Sequence, residues 1–332
     1  MAADMLEFEE PVGVLLKEIE ALGMLPQTPE RQASIRQLES RAAQIRAEIY
    51  ASLKPWQRVQ VARHPNRPTT LDYVSQLFTG FMELHGDRRF GDDAAIVAGL
   101  GYYHGQSVGI VGHQKGRDTK QKILRNFGYA RPDGYRKALR VMRLAEKFRR
   151  PIIVFIDTPA AYPGIESEER GVAEAIAYNL REMALLEVPI VVLVCGEGGS
   201  GGALGIAVGD RILMQEFSVY SVIPPEGCAA ILWRDAGRKV DAAEALKLTA
   251  PDLLQLELID EIVKEPIGGA HGDPAGAAAL VDDAIQRHLA SLQAMDPAGR
   301  QETRYAKFRN MGRIGLTSDG VPDEPSRRRR TP

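Results

Sequence analysis

Residues 189–203 read PIVVLVCGEGGSGGA, an unbroken apolar run followed by five glycines within the seven positions 196–202. An apolar run of this length without polar alternation is a strand buried on both faces. Glycine at that density breaks regular structure, so the backbone there must take positive φ or admit something close to it. Residues 151–156 (PIIVFI) form a second run of the same kind, and helical stretches are predicted at 135–148 and 168–187. Each run ends in a loop, 157–169 (DTPAAYPGIESEE) after the first and 196–202 (GEGGSGG) after the second. The order strand, loop, helix, strand predicts an α/β fold with a parallel sheet covered on both sides. Ligand sites in such sheets lie at the carboxyl ends of the strands, which is where both loops fall.

Outward from this centre, residues 96–103 and 107–112 are β-rich and separated by His104, Gly105 and Gln106, which predicts a hairpin. An amphipathic segment starts at Thr70 (Leu71, Val74, Leu77, Phe81), after a break made by His64, Pro65, Arg67 and Pro68. Before the break, Thr28 and Pro29 signal a helix start. The seam Ile35, Leu38, Ala42, Ile45, Ile49 is too short for a coiled coil, so a helical hairpin with Leu15, Ile19 and Leu22 is expected. It packs on itself or serves as a partner-binding arm. Past the glycines, a short helix is expected at 203–208 and the α/β pattern continues through 219–223, the stretch around Pro225, Gly227 and Cys228, and 258–263. A helix at 275–292 closes it. From Gly312 the chain turns polar and ends in Arg327 to Arg330, read as a disordered, solvated tail. The chain thus divides into an N-terminal helical extension (1–68), a central domain (69–296) and a C-terminal segment with a disordered basic tail (297–332).

Of the 332 residues, 42 are Lys or Arg and 44 Asp or Glu, a net charge of −2 that argues against a general nucleic-acid binder. An apolar share of 44% supports a large core and excludes global disorder. Two cysteines, Cys195 and Cys228, make neither a disulfide framework nor a zinc site, so no metal is expected. The acidic first ten residues and the absence of a membrane-length apolar run point to the cytoplasm.

The glycine loop satisfies three patterns. Gly196, Gly198 and Gly201 match G-x-G-x-x-G with Glu216 about 20 residues on, the signature of an NAD-binding oxidoreductase. Against it, the following helix is interrupted near Gly209 and further βαβ units are lacking. Gly198, Ser200 and Gly202 match the G-x-S-x-G elbow of a serine hydrolase, for which His271 is the credible base. The third reading makes the backbone N–H groups of Gly201, Gly202 and Ala203 an oxyanion hole, which needs neither histidine nor metal. Such donors suit a thioester enolate or another oxygen that gains charge.

The run HQKGRDTKQKILRNFGYARPDGYRKALR (113–140), together with FIDTPAAYPGIESEERG, GEGGSGGALGIAVGD and YSVIPPEGCAAILW, closely resembles the α-subunit family of bacterial acetyl-CoA carboxylase carboxyltransferases. The resemblance runs from LEFEEP near the start to about Gly312. It implies a crotonase (ClpP/crotonase)-like superhelix of repeated ββα units, with 69–296 as the carboxyltransferase domain. It also implies transfer of carboxyl from carboxybiotin, delivered on a biotin carboxyl carrier protein, to acetyl-CoA, giving malonyl-CoA for fatty-acid synthesis. The implied partners are a zinc-ribbon β subunit in an α2β2 assembly and, in the full complex, biotin carboxylase. No membrane, no specific nucleic acid and no cofactor bound covalently in this chain are expected. The family's DTPGAYPG reads DTPAAYPG here, so the loop geometry changes if the glycine replaced by Ala160 needed positive φ.

On that resemblance, Gly201, Gly202 and Ala203 are the expected amide donors to the ureido oxygen of carboxybiotin. The biotin nitrogen left after transfer could take the acetyl α-proton. Gly198 and Gly199 shape the loop, although glycines also serve tight packing. Tyr162, Pro163 and Gly164 are expected as a wall of the biotin pocket or as loop packing. Glu197 orients the loop or forms a structural ion pair, and Ser200 is expected as a helix cap. Lys115, Arg117, Lys120, Lys122, Arg125, Arg131, Arg136 and Lys137 form a basic cluster, read as contacting CoA phosphate or the carrier protein, or as a solvated helix face.

Overall fold

The computed structural model describes residues 5–26 and 28–312. Helices α1 (Glu10–Gly23) and α2 (Pro29–Ala51) form the expected hairpin, with Thr28 capping α2 by accepting from the Arg31 amide. Helix α3 (Pro55–Ala62) and α4 (Thr70–Leu77) lead into β1 (Phe78–Glu83). Phe81, expected on the amphipathic helix, therefore lies on a strand. The hairpin β2 (Ile96–Tyr103) and β3 (Gln106–His113) pairs in register around His104 and Gly105, as its sequence requires.

Helices α5 (Thr119–Leu124) and α6 (Pro132–Lys147) then precede β4 (Ile152–Thr158). The helical stretch expected at 168–187 is two helices, α7 (Ile165–Glu169) and α8 (Val172–Leu185), broken at Gly171 where φ is +74°. Strand β5 (Ile190–Gly199) runs two residues past Glu197, and the helix after it, α9 (Ser200–Leu204), starts three residues earlier than expected and is short. The remainder is β6 (Arg211–Gln215), β7 (Val219–Ser221), α10 (Pro225–Trp233), α11 (Lys239–Ala245), α12 (Ala250–Gln255), β8 (Glu261–Val263), α13 (Pro274–Gln293) and α14 (Pro297–Asn310). Residues 313–332, including the Arg327 to Arg330 tail, lie outside the described residues.

The sheet order is β1-β2-β3-β4-β5-β6-β8, antiparallel through β3 and parallel from β3 onward. Along β4, Ile152, Val154 and Ile156 pack with α6 and α8 residues such as Val141 and Met183, while Ile153 and Phe155 pack with Tyr73 of α4 and Val281 of α13. Both faces are therefore buried, which is why neither strand alternates in polarity. Each such side chain contributes about 1.5–3 kcal/mol of burial.

Strand β5 changes partner along its length. Val191 to Val194 pair with β6, whereas Glu197 to Gly199 pair with β7. Its end is thereby carried away from β6, opening space on both sides of the glycine loop. Helix α3 and the turn after it pack against this end rather than on the α1/α2 hairpin alone: Val59 and Ala62 join Val219 and Leu248 in one cluster. At the other terminus the fully buried Arg304 of α14 pairs with Asp210 at 2.8 Å and donates to carbonyls of the segment before β5.

Candidate functional site

The carboxyl ends of β3, β4 and β5 lie side by side, and each delivers a charged residue to one point. Lys115 follows β3, Asp157 ends β4 and Glu197 is near the end of β5. Lys115 Nζ donates to Asp157 Oδ1 (2.8 Å) and Glu197 Oε2 (2.7 Å), and the Glu197 amide donates to Asp157 Oδ1 (3.0 Å). Arg63, just after α3, donates from Nε to Glu197 Oε1 and from Nη1 to Glu226 Oε1, both at 2.6 Å. Burial alone would raise the Glu197 pKa, but Lys115 and Arg63 outweigh it and hold it at about 2. Burial likewise works against the Lys115 charge, and Asp157 and Glu197 more than offset it, so its pKa stands above the ordinary lysine value.

Arg63, Lys115, Asp157 and Glu197 line one side of a cavity of about 510 Å³, whose remaining wall includes Arg117, Lys122, Phe127 and Tyr129. Glu197 thus has the structural-pair role, and Lys115 is committed to carboxylates rather than left open to a phosphate. The rest of the basic cluster disperses in the same way. Arg117 pairs with Asp72 (2.6 Å), the fully buried Lys137 with Asp92 (2.6 Å), Arg125 with the Ala94 carbonyl, Arg131 with Glu166 (3.4 Å), and Arg136 with the Arg170 carbonyl. Lys120 and Lys122 stand on α5.

On the other side of β5 an apolar groove of about 540 Å³ is lined by Ser200, Gly201, Leu204, Tyr220, Val222 and Phe308, among others. The glycines divide by what surrounds them. A Cβ at Gly198 would overlap the Tyr220 ring, one at Gly199 the Pro159 carbonyl, and one at Gly202 the backbone of Ala160 and Ala161. At Gly201 the nearest atom to such a Cβ is Ile176 Cδ1 at 3.8 Å, an ordinary contact, and φ is not positive. Packing demands three of these glycines and leaves the fourth, the one facing the groove, without a folding reason.

Gly201 and Gly202 fall in the first turn of α9, where amides have no carbonyl one turn behind them, whereas the amide of Ala203 lies one turn after the Gly199 carbonyl at the cap and belongs to the helix's own ladder. Ala203 is fully buried, Gly202 is buried, and of the three only Gly201 lines the groove. The loop is braced from below, since Tyr135 Oη donates to the Gly202 carbonyl (3.2 Å) and Asn179 Nδ2 donates to the Gly205 and Tyr135 carbonyls (3.0 and 2.9 Å). His113, at the end of β3, is fully buried beside the Gly202 backbone, and burial lowers its pKa to about 3. Arg63, Tyr135, Asn179 and His113 were not identified from the sequence. His113 and Tyr135 lie within the 113–140 run and Asn179 within the helix expected at 168–187, but nothing local marks them as neighbours of the loop, which each reaches only through tertiary closure.

Ser200 differs from expectation. It is the first residue of α9 rather than its cap, its side chain makes no capping hydrogen bond, and its φ is +53°. His271, the base required by a hydrolase, stacks on His64 with 3.9 Å between ring centroids and lies 3.4 Å from Tyr50 Oη. No hydrogen bond joins it to Ser200 among the described residues. Tyr162 packs on Gly164 and under the Arg131 guanidinium (4.7 Å), and Tyr162, Pro163 and Gly164 line neither the cavity nor the groove. Ala160 keeps φ outside the left-handed region, so the alanine is compatible with the loop. Among the described residues no cluster of metal-ligating side chains occurs, and no helix is long and apolar enough to cross a membrane.

Comparison with known proteins gives a consistent result. The family model for acetyl co-enzyme A carboxylase carboxyltransferase-like proteins matches residues 5–312. The acetyl-coenzyme A carboxylase carboxyl transferase subunit alpha of Geobacter metallireducens is 59% identical over 310 residues, covering 93% of this chain and 98% of the relative. That of Synechococcus elongatus is 55% identical over 317 residues, covering 95% and 97%. In fold, the chain is similar to a Pseudomonas malonate decarboxylase hetero-tetramer solved with coenzyme A (TM-score 0.56, 18% identity, 73% of this chain and 97% of the other). It is also similar to the transcarboxylase 12S core with methylmalonyl-coenzyme A bound (TM-score 0.54, 18% identity, 67% and 42%). The fold is therefore crotonase-like.

Proposed function

The chain belongs to the acetyl co-enzyme A carboxylase carboxyltransferase family, and from that premise we propose that it supplies the carboxybiotin side of a carboxyl transfer to acetyl-CoA, giving malonyl-CoA. The enzyme class is carboxyltransferase; oxidoreductase and hydrolase readings of the same loop are not favoured. The observation that carries the assignment of roles is Gly201, which lines the groove and has no packing reason to lack a side chain.

In this reading the groove takes the flat bicyclic ring of carboxybiotin between Leu204, Tyr220 and Val222, and the missing Cβ at Gly201 lets the ureido oxygen approach the backbone. That oxygen gains negative charge as the carboxyl leaves, so the first-turn amides at Gly201 and Gly202 favour the departure, with Ala203 holding the turn behind them. Removal of one such donor typically costs about 3 kcal/mol, roughly a hundredfold in rate. The Glu226, Arg63, Glu197, Lys115, Asp157 chain fixes the strand ends from which the loop springs, and Tyr135 and Asn179 brace it beneath. None of these side chains needs to transfer a proton.

The enolate of acetyl-CoA needs donors of its own, and a single glycine-rich turn cannot serve two oxyanions at once. We therefore assign the acyl-CoA side to a β subunit of zinc-ribbon type in an α2β2 assembly, with a biotin carboxyl carrier protein charged by biotin carboxylase as the donor. The test is a titration of a candidate β subunit into this chain, with malonyl-CoA decarboxylation to biotin and mass by light scattering followed together. Activity is expected to appear only with β and to saturate near equal amounts. Full activity of the chain alone would overturn the division of labour.

A further inference from the structure

We propose that the cleft between the loop at residues 84–93 and the outer surface of α6 and α8 binds a phosphate-bearing small molecule. The cleft encloses about 260 Å³ and is lined by five arginines, Arg88, Arg89, Arg136, Arg140 and Arg143, against two carboxylates, Asp87 and Glu174. Not all of the five are available. Arg143 is held by Glu182 (2.6 Å) and the Tyr178 hydroxyl (2.8 Å), and Arg136 by the Arg170 carbonyl (2.6 Å) with Glu174 at 3.5 Å.

Arg88 and Arg140 are different. Arg140 donates from Nε to the Gly86 carbonyl (3.0 Å) and from Nη2 to the His85 carbonyl (3.2 Å), and Arg88 Nη1 donates to that same His85 carbonyl (3.2 Å). Two guanidinium groups thus converge on one neutral oxygen, with no carboxylate at ion-pair distance from either among the described residues. Burial and the Arg88 charge push the Arg140 pKa down, and the more distant Asp92 and Asp87 offset this only in part. Arg88 is also held at a φ of +62°, a region that side chains avoid. Asp87 makes no ion pair with either guanidinium; its Oδ1 accepts from the amides of Arg89, Phe90 and Gly91, and its charge acts on Arg140 only from a distance. Arg136 Nε is buried without a hydrogen-bond partner among the described residues, one further donor at the same wall.

Guanidinium forks that converge without a carboxylate match the oxygens of a phosphate, which several forks can grip at once. The volume admits one or two phosphate groups, with the rest of the ligand in solvent. The cleft is also connected to the glycine loop. Arg136 and Tyr178 on its wall are chain neighbours of Tyr135 and Asn179, which brace Gly202 and Gly205 on the inner side of the same helices. An occupant would clamp α6 to the 84–93 loop and steady the helices beneath the proposed hole.

The test is isothermal titration of the full chain with inorganic pyrophosphate, with ADP and with CoA, at constant ionic strength set by chloride. Saturable one-to-one binding of pyrophosphate is expected, weakened about tenfold or more by Arg88→Gln and by Arg140→Gln, and unchanged by Arg238→Gln, an exposed arginine paired with Asp241 away from the cleft. Arg88 is exposed on a loop, so its variant keeps the fold even if Arg140→Gln disturbs the 84–93 segment. Tighter binding of ADP or of CoA that Arg88→Gln removes supports the site and identifies a nucleotide or a thioester carrier as its source. Absence of saturable pyrophosphate binding, or binding unaffected by both variants, would overturn the proposal.

Discussion

The cavity on the Glu197 side of β5 and the groove on the Gly201 side are nearly equal in size, about 510 and about 540 Å³, yet they are built on opposite principles. The first is walled by charges that satisfy one another: Lys115 lies between Asp157 and Glu197, and Arg63 links that same Glu197 to Glu226. The second is walled by apolar side chains around one glycine whose Cβ the fold does not exclude. A charged residue at a strand end invites a catalytic reading, but here the charges hold strands together while the uncharged backbone faces the open groove. What separates scaffold from site is whether each group already has a partner.

The sharpest way to break this contrast is the pair Gly202→Val and Gly201→Val. The first drives a branched side chain into the Ala160 and Ala161 backbone, so loss of soluble folded protein is expected. In the second the new Cβ comes no closer than 3.8 Å to Ile176, beside the open groove that takes the rest of the side chain, so circular dichroism and melting should stay close to wild type while the β-reconstituted rate falls about a hundredfold or more. Equal activity in a folded Gly201→Val protein would remove the reason for placing chemistry in the groove.

Lys115→Met probes the charged side. It leaves Asp157 and Glu197 facing each other in a buried site, at a cost of about 3–5 kcal/mol, which corresponds to a fall in Tm of about 10 °C. If Lys115 instead served a substrate phosphate, calorimetry would show little change in Tm and the KM for the CoA thioester would rise.

The pH dependence of stability separates the two sets of buried groups. His113 and His271 have folded values of about 3, chiefly through burial, below the ordinary 6.5. The unfolded chain therefore takes up these protons first, and stability is full above pH 6.5 and declines as pH falls from 6.5 toward 3, by about 1.4 kcal/mol per unit for each histidine. Glu197, depressed from 4.5 to about 2, adds its loss only as pH falls below 4.5. Denaturation across pH 4–8 should show a plateau above 7 and a slope beneath it, and His271→Asn should flatten that slope by about half between 6.5 and 4.5.

The smallest effect is expected at Ser200. Among the described residues its hydroxyl caps nothing and makes no hydrogen bond to a histidine, so Ser200→Ala should leave activity within about threefold of wild type, well below the roughly hundredfold loss of an oxyanion donor. A serine-directed phosphonate that labels Ser200 would contradict this and restore the hydrolase reading.

Much of the architecture was legible because its signals are local. Two apolar runs without alternation marked strands buried on both faces, Gly105 with its neighbours marked the β2/β3 turn, and Thr28 with Pro29 marked the start of α2. Where local reading failed, a boundary depended on tertiary pairing. Phe81 follows the helical spacing of Leu71, Val74 and Leu77, but edge pairing with β2 draws it into a strand. Ser200 looked like a cap, but β5 runs through Gly199 in its pairing with β7 and α9 begins directly after it, so the cap position falls on Gly199, one residue earlier.

The sequence alone determined the class of fold, the position of the glycine loop at a strand end and, through its long family motifs, the chemistry to look for there. It could not rank the five glycines, because a glycine required by Pro159 or Ala160 some 40 residues away reads the same as one left open for a ligand. Nor could it assign Lys115, whose partners Asp157 and Glu197 lie on the two following parallel strands, or Arg63, which sits before the sheet in sequence and against its end in space. Strand and turn preferences act over a few residues and are written in the order of the chain. Steric exclusion and ion pairing act over a few ångströms, and only the closed sheet decides which residues those few ångströms contain.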